Sequence, residues 1–191
     1  MKLIRKTIKT ARADHDIVLF LDPVHQVHNV DNGYCWQIQG QINTKIVPSN
    51  SGRERLTIVG ALNPATGRPT ILTTEGNCDQ YMMVAFFQEL RQQYSSAKTL
   101  YIFLDNARYN HSKLVGAEAK RLNIKLLFLP PYSPNLNLIE RLWKFMKKIL
   151  THNKYYKTFT EFTKAIHDFF KNIGQYQVAL DTLLTLNFEI I

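Results

Sequence analysis

The apolar and polar positions of the chain alternate between short strand-like runs and longer segments with helical spacing. Apolar runs of about four to eight residues bounded by turn residues are typical of buried strands. Strands are predicted at residues 17–21, 34–42, 56–62, 99–104 and 124–129, and a short extended piece at residues 69–74. Apolar residues at helical spacing predict helices at residues 79–94, 112–122 and 159–170. Residues 1–15 show no clear period and are interpreted as a basic lead-in.

The order of these elements predicts the fold class. Strands that follow one another as a meander, and then alternate with helices, are typical of a mixed sheet flanked by helices. A chain of 191 residues that is 45% hydrophobic is long enough to bury one sizeable core. We therefore expect a single domain over residues 16–172, with residues 173–191 as a tail that packs back on it.

Residues 129–148, with the sequence LPPYSPNLNLIERLWKFMKK, combine a proline-rich turn with an amphipathic helix. The prolines disfavour helix before residue 135, so the helix is predicted to begin near Asn135 or Leu136, with Asn135 as its N-cap. On a helical wheel Glu140 lies opposite the apolar side, which contains Trp143. A solvent-exposed Glu140 paired with Lys144 one turn later is the simplest interpretation of this carboxylate.

The positions of two other acidic residues favour a functional interpretation. Asp22 is predicted at the end of the first strand and Asp105 at the end of the strand over residues 99–104. Carboxyl ends of strands in open α/β sheets are where such folds place their sites. Three carboxylates that include Glu140 repel one another unless cations neutralise them, and hard oxygen ligands select Mg²⁺ or Mn²⁺. Two such ions, roughly 3.5–4 Å apart, serve phosphoryl transfer on nucleic acids.

Charge and cysteine content narrow the class of protein. The net charge is +9, which fits a polyanionic partner, although charge alone fits a generally basic protein about equally well. Cys35 and Cys78 form no metal-binding or disulfide pattern, so a reducing compartment is expected. No apolar run approaches the roughly 18 residues of a membrane span. We expect a cytoplasmic, nucleoid-associated protein without membrane contact.

Five motifs resemble the catalytic domain of DDE transposases of the Tc/mariner superfamily, in the branch carried by bacterial insertion sequences. They are VLFLDPVHQVH around Asp22, GYCWQIQG, VGALNPATG, FLDNARYNHS around Asp105, and the segment 129–148 around Glu140. In addition, 34 residues separate Asp105 from Glu140, a spacing that the family uses. Two positions depart from the family pattern, since Pro23 replaces a frequent acidic residue and Leu138 replaces the usual proline.

The resemblance implies an RNase H-like mixed five-stranded sheet and a DDE transposase activity, namely cleavage at transposon ends and strand transfer into target DNA. Asp22, Asp105 and Glu140 are then the catalytic and metal-binding residues, with Mg²⁺ or Mn²⁺, expected as two ions. Asn106 is predicted to orient the metal ligands. Arg141, Lys144, Lys147 and Lys148 are predicted DNA contacts, although a solvated basic face explains them nearly as well.

The partners implied are DNA and a second copy of the chain in the active complex. Because only some 16 residues precede the first predicted strand, an upstream helix-turn-helix chain or fused segment is expected to recognise the transposon ends. Two alternatives to a transposase stay open at this point. One is a DNA-binding remnant that no longer turns over, and the other is an RNase H-like nuclease without strand transfer.

Overall fold

The computed structural model describes residues 2–13, 16–31, 48–131 and 134–186. The strands within these residues are β1 (Ile17–Val27), β2 (Arg55–Asn63), β3 (Arg68–Thr74), β4 (Leu100–Leu104) and β5 (Ile124–Phe128). The helices within them are α1 (Lys2–Ala13), α2 (Gln80–Gln93), α3 (Lys113–Arg121), α4 (Ile139–Leu150), α5 (Phe159–Lys171) and α6 (Gln177–Leu183). Short 3₁₀ turns occur at Arg108–His111, Pro134–Leu136 and Ile173–Tyr176.

The strands form one mixed sheet in the order β3-β2-β1-β4-β5. Strands β1, β2 and β3 are antiparallel neighbours, whereas β4 and β5 run parallel to β1. Because side chains alternate along a strand, the sheet has two apolar faces. Phe20 packs into one core with α1, α4, α5 and α6, while Leu19 and Leu21 pack into a second core with α2 and α3. The predicted sheet flanked by helices is confirmed.

Strand β1 is longer than the sequence predicted. It does not end at Asp22 but continues to Val27, so Asp22 lies within the strand. Parallel pairing with β4 ends at Phe20, and antiparallel pairing with β2 carries the strand onward. Pro23 lacks an N–H, and it is tolerated here because, among the described residues, no strand pairs with the other edge of β1 beyond Phe20. The sequence interpretation was wrong because it took the proline as a stop.

Residues 2–13 form a helix rather than a lead-in without period. Ile4, Ile8 and Ala11 are spaced so that they lie on one side of the helix, and all three are buried in the core that contains α4 and α5. The basic residues between them obscured this spacing in the sequence. At the other end of the chain, Leu180 and Leu184 are buried in the same core. The exact domain borders stay a prediction.

Helix α4 begins three to four residues later than predicted. Residues 134–136 form a 3₁₀ turn, and Leu138 occupies the N-cap without a side-chain hydrogen bond. The helices predicted at residues 79–94, 112–122 and 159–170 are confirmed, with Asp79, Ser112 and Thr158 as N-caps. The strand predicted at residues 34–42, which contains Trp36 and Gly40, lies outside the described residues. Within the described residues, no helix combines the length and apolar character needed to cross a membrane.

Candidate active site

The three predicted carboxylates come from three neighbouring elements. Asp22 lies in the middle of β1, Asp105 follows the last residue of β4, and Glu140 is the second residue of α4. The parallel pairing of β1 with β4 and the packing of α4 on the sheet bring them to one edge of the sheet. The sequence analysis predicted that the three carboxylates lie together, but it placed Asp22 at the end of its strand, whereas Asp22 lies within it.

The pKa of Asp22 reflects the proximity of the two other acids. Burial, together with the negative charges of Glu140 and Asp105, raises the pKa of Asp22 to about 8. One contact opposes these effects, because the indole Nε1–H of Trp143 donates to Asp22 Oδ2 at 3.2 Å and lowers the pKa. A divalent cation beside Asp22 would offset the repulsion between the carboxylates and so favour the ionised form of Asp22.

Asp105 is held by a residue that the sequence analysis did not select. Asn110 Nδ2 donates to Asp105 Oδ1 at 3.0 Å, and Asn110 is only 2% exposed. Asn106, the predicted orienting residue, instead donates from Nδ2 to the backbone carbonyl of Leu129 at 2.6 Å and so ties the ends of β4 and β5 together. Asn110 lies five residues after Asp105 in the 3₁₀ turn Arg108–His111, and the local sequence does not reveal that this turn brings the two side chains together.

Glu140 is positioned by the residue three places before it. The backbone N–H of Glu140 donates to the Asn137 carbonyl at 3.1 Å. The side-chain Nδ2 of Asn137, which is 4% exposed, donates to the Leu21 carbonyl at 3.1 Å. Asn137 thereby connects the start of α4 to the strand residue next to Asp22, and this long-range bond replaces the local N-cap that was predicted.

The three carboxylates are the expected ligands of a divalent cation. Among the described residues, no group of three or more His, Cys, Asp or Glu side chains is close enough to hold a metal ion as the side chains stand. The chemistry of the site nevertheless fits a hard cation. The three predicted ligands are all carboxylates, the half-buried Asp22 is repelled by the other two, and Asn110 Oδ1 is a buried acceptor with no hydrogen-bond partner in the described residues.

The predicted DNA contacts do not behave alike. Lys144, Lys147 and Lys148 are exposed on α4, and Lys147 lines an open pocket of about 260 Å³ beside the end of β1. Arg141 is instead half-buried, and its Nη1 donates to the carbonyls of Leu183 and Thr185 at 3.1 and 2.9 Å. The three lysines remain predicted DNA contacts, whereas the structure gives Arg141 a contact to the C-terminal end of α6.

Two further polar side chains share the electrostatic environment of the carboxylates. Burial raises the pKa of the Tyr109 phenol and of the Cys78 thiol, and the charges of Asp105 and Asp22 contribute to both shifts. The two side chains are hydrogen-bonded to each other. The Cys78 thiol and the Tyr109 phenol near the carboxylates are therefore uncharged at neutral pH.

Comparison of the sequence with known proteins gives relatives of the expected kind. The insertion element IS630 uncharacterized 39 kDa protein of Shigella sonnei is 25% identical over 178 residues, which cover 92% of this chain and 50% of that protein. An uncharacterized protein of Sinorhizobium fredii is 29% identical over 104 residues, covering 54% of this chain and 74% of that protein. The chain thus spans about half the length of the first of these relatives.

Solved structures agree on the fold. The Mos1 strand transfer complex superposes with a TM-score of 0.67 at 12% identity, covering all of this chain and 60% of the Mos1 chain. The catalytic domain of Mos1 mariner transposase gives a TM-score of 0.58 at 13% identity, covering 94% of this chain and 84% of that domain. The RNase H-like fold is thereby confirmed.

The family follows from the sequence itself. The profile of the DDE superfamily endonucleases matches residues 3–163, which include every described strand, α1 to α4 and all three predicted carboxylates. The resemblance that the motifs indicated is therefore confirmed, and the chain belongs to the DDE superfamily endonuclease family.

Proposed function

We propose that the chain is the catalytic part of a DNA transposase of an insertion element. The observation that carries the proposal is the placement of the half-buried Asp22 on β1 beside Asp105 after β4 and Glu140 on α4, at one edge of an RNase H-like sheet. Membership of the endonuclease family and similarity to an insertion-element protein support it. The substrates would be transposon ends and target DNA.

The roles of the residues follow from their positions. Asp22, Asp105 and Glu140 would hold Mg²⁺ or Mn²⁺, and binding requires the three carboxylates to close around the cation. When bound, such a cation supplies Lewis-acid activation of the attacking oxygen and stabilises the charge on the leaving oxygen of the phosphodiester. Asn110 orients Asp105, Asn137 fixes Glu140 relative to β1, and the lysines of α4 bind backbone phosphates.

Assembly is also part of the proposal. Since the chain spans half of the insertion-element relative, recognition of the transposon ends is assigned to a helix-turn-helix segment or chain outside the present sequence. A homodimer would hold the two transposon ends in the active complex. Light scattering of the chain on end DNA, with the recognition segment supplied, measures this stoichiometry directly.

The substitution Asp105→Asn tests the activity. We expect it to abolish Mn²⁺-dependent cleavage of end DNA while leaving binding to nonspecific DNA within about twofold, because lysine and arginine contacts to phosphates supply that affinity. Cleavage would be measured on labelled duplex, and binding by fluorescence anisotropy. Asp168→Asn, an exposed acid on α5, is the matched control. Full cleavage by the Asp105 variant would exclude the triad.

A further inference from the structure

Strand β2 and helix α4 approach each other unusually closely at Gly60. Gly60 lies directly across from Asp22 in the antiparallel register of β1 and β2. A Cβ atom added to Gly60 would lie 2.5 Å from Cη2 of Trp143 and 3.0 Å from Cδ1 of Ile139. Any other residue would therefore push the indole away, and glycine at this position makes room for it.

The indole that fills this space belongs to Trp143 and is tightly packed. Trp143 is 2% exposed and meets the ring of Phe170 edge to face, with ring centroids 6.2 Å apart. A tightly packed ring has a fixed orientation, so the direction of its single N–H is also fixed. That N–H points at Oδ2 of Asp22, at 3.2 Å.

Asp22 is the carboxylate that most needs such a partner. It is half-buried and repelled by both Glu140 and Asp105, and the indole N–H of Trp143 donates a hydrogen bond to its side chain. Partners that hydrogen-bond a metal ligand set its orientation, and their loss typically weakens metal affinity about 10- to 100-fold.

We propose that Gly60 and Trp143 act as a positioning pair for Asp22, in which the glycine admits the indole and the indole N–H holds the carboxylate in the orientation that binds the divalent cation. This inference rests on the proposed function, because it concerns the same cation. It assigns to Trp143 a role beyond its place in the core. Neither residue touches the reacting atoms.

The test measures Mn²⁺ binding to the whole chain by isothermal titration calorimetry, without DNA and without an activity assay. We expect Trp143→Phe, which keeps an aromatic ring but lacks the N–H, to bind Mn²⁺ at least tenfold more weakly than the wild type. The control Phe169→Leu perturbs the same core but does not contact Asp22, and we expect its affinity to stay within about twofold of the wild type.

Glycine variants give a second and independent test. Gly60→Ala should weaken Mn²⁺ binding as Trp143→Phe does, since it displaces the indole. Gly116→Ala on α3 meets no atom within 4 Å of its added Cβ and should leave Mn²⁺ binding unchanged. Circular dichroism and thermal unfolding show that each variant is folded at the temperature of the titration.

Three results separate the possibilities. Mn²⁺ binding that is lost in Asp22→Asn and weakened in Trp143→Phe, but not in Phe169→Leu, supports the positioning pair. Binding that is lost in Asp22→Asn but unchanged in Trp143→Phe overturns the pair and leaves the metal site intact. Binding that is unchanged in Asp22→Asn, or absent in the wild type, overturns the metal site of the proposed function and the positioning pair with it.

Discussion

Asp22 is the residue at which burial and charge conflict most strongly. Its side chain lies in the middle of a strand, next to two other acids, and its pKa is raised to about 8. A raised pKa means that the folded protein holds a proton that the unfolded chain has already lost above about pH 4. Without a cation, the folded protein is therefore destabilised relative to the unfolded chain as the pH rises above about 4.

The sign of this effect gives a prediction for stability against pH. The metal-free wild type should lose free energy of unfolding as the pH rises from about 4 to about 8, because over this range Asp22 keeps its proton in the folded state but not in the unfolded chain. Asp22→Asn removes the ionisable group and should lose less free energy of unfolding over the same pH range. The stabilities of the two proteins should then differ by an amount on the order of a few kcal/mol at about pH 9. Urea unfolding at a series of pH values, in the presence of a chelator, measures this difference.

Two comparisons make this test specific. The exposed Asp168→Asn variant should follow the wild-type pH dependence. Addition of Mg²⁺ at about pH 8 should stabilise the wild type but not Asp22→Asn, since bound ligand stabilises the folded state by mass action. Parallel pH profiles for the wild type and Asp22→Asn would contradict the coupling of the three carboxylates.

Helix α4 is the element that connects the site to the rest of the molecule. Its apolar side, with Leu142 and Met146, packs on the sheet, and its first turn contains Glu140. The next residue, Arg141, donates to two carbonyls at the C-terminal end of α6. Unpaired carbonyls at a helix end accept such bonds, so α6 braces the start of α4.

Removal of this brace should affect both stability and activity. Arg141→Ala leaves the carbonyls of Leu183 and Thr185 without this donor, and we expect a loss of about 1–3 kcal/mol in the free energy of unfolding. Cleavage should fall as well, because Glu140 is the adjacent residue. Lys144→Ala, an exposed change on the same helix, should alter stability by less than about 0.5 kcal/mol. Equal stability of the two variants would contradict the brace.

Among the helices and strands, the sequence predicted the features that depend on local residue patterns. It did not predict the features that depend on contacts between distant residues. The spacing of Met83, Phe86 and Leu90 was sufficient to predict α2, and all three are buried as expected. The continuation of β1 beyond Pro23 depends on its pairing with β2, and the late start of α4 depends on the bond from Asn137 to Leu21. Neither partner is recognisable from local sequence.

The same distinction applies to the site. Asp105 and Glu140 were predictable because the motifs around them are specific to the family. The donors that hold the carboxylates, Asn110 and Trp143, were not selected, since Trp143 belongs to the apolar side of its helix and gives no sign of its polar contact. The role of Gly60 depends on a neighbour more than 80 residues away in the chain.

At the scale of the whole molecule, positive charge and the carboxylate site lie together on α4. The net charge of +9 favours binding to a polyanion, and three exposed lysines follow Glu140 on the same helix. Each lysine that contacts a phosphate releases a condensed counterion on binding. Charge on this side of the sheet should therefore dominate the affinity for DNA.

The salt dependence of DNA binding tests the predicted contacts. Replacing Lys144, Lys147 and Lys148 together with alanine should reduce the slope of log affinity against log salt concentration by roughly 2 to 3. The matched control replaces Lys98, Lys113 and Lys120, which are exposed beside the other face of the sheet and change the net charge equally. Anisotropy titrations over a range of salt give both slopes. Equal slopes for the two variants would mean that the basic side of α4 is only solvated.

The central claim is that Asp22, Asp105 and Glu140 together cut and join DNA with a divalent cation. The most direct measurement is nicking and joining of labelled transposon-end DNA in Mg²⁺ or Mn²⁺, with the upstream recognition segment supplied. Wild type would be compared with Glu140→Gln and with Glu161→Gln, an exposed control on α5. We expect nicked and joined products with the wild type and the control, and neither product with Glu140→Gln. Binding without cleavage under either cation, or equal products from Glu140→Gln, would contradict the claim, while cleavage without joining would indicate a nuclease on this fold.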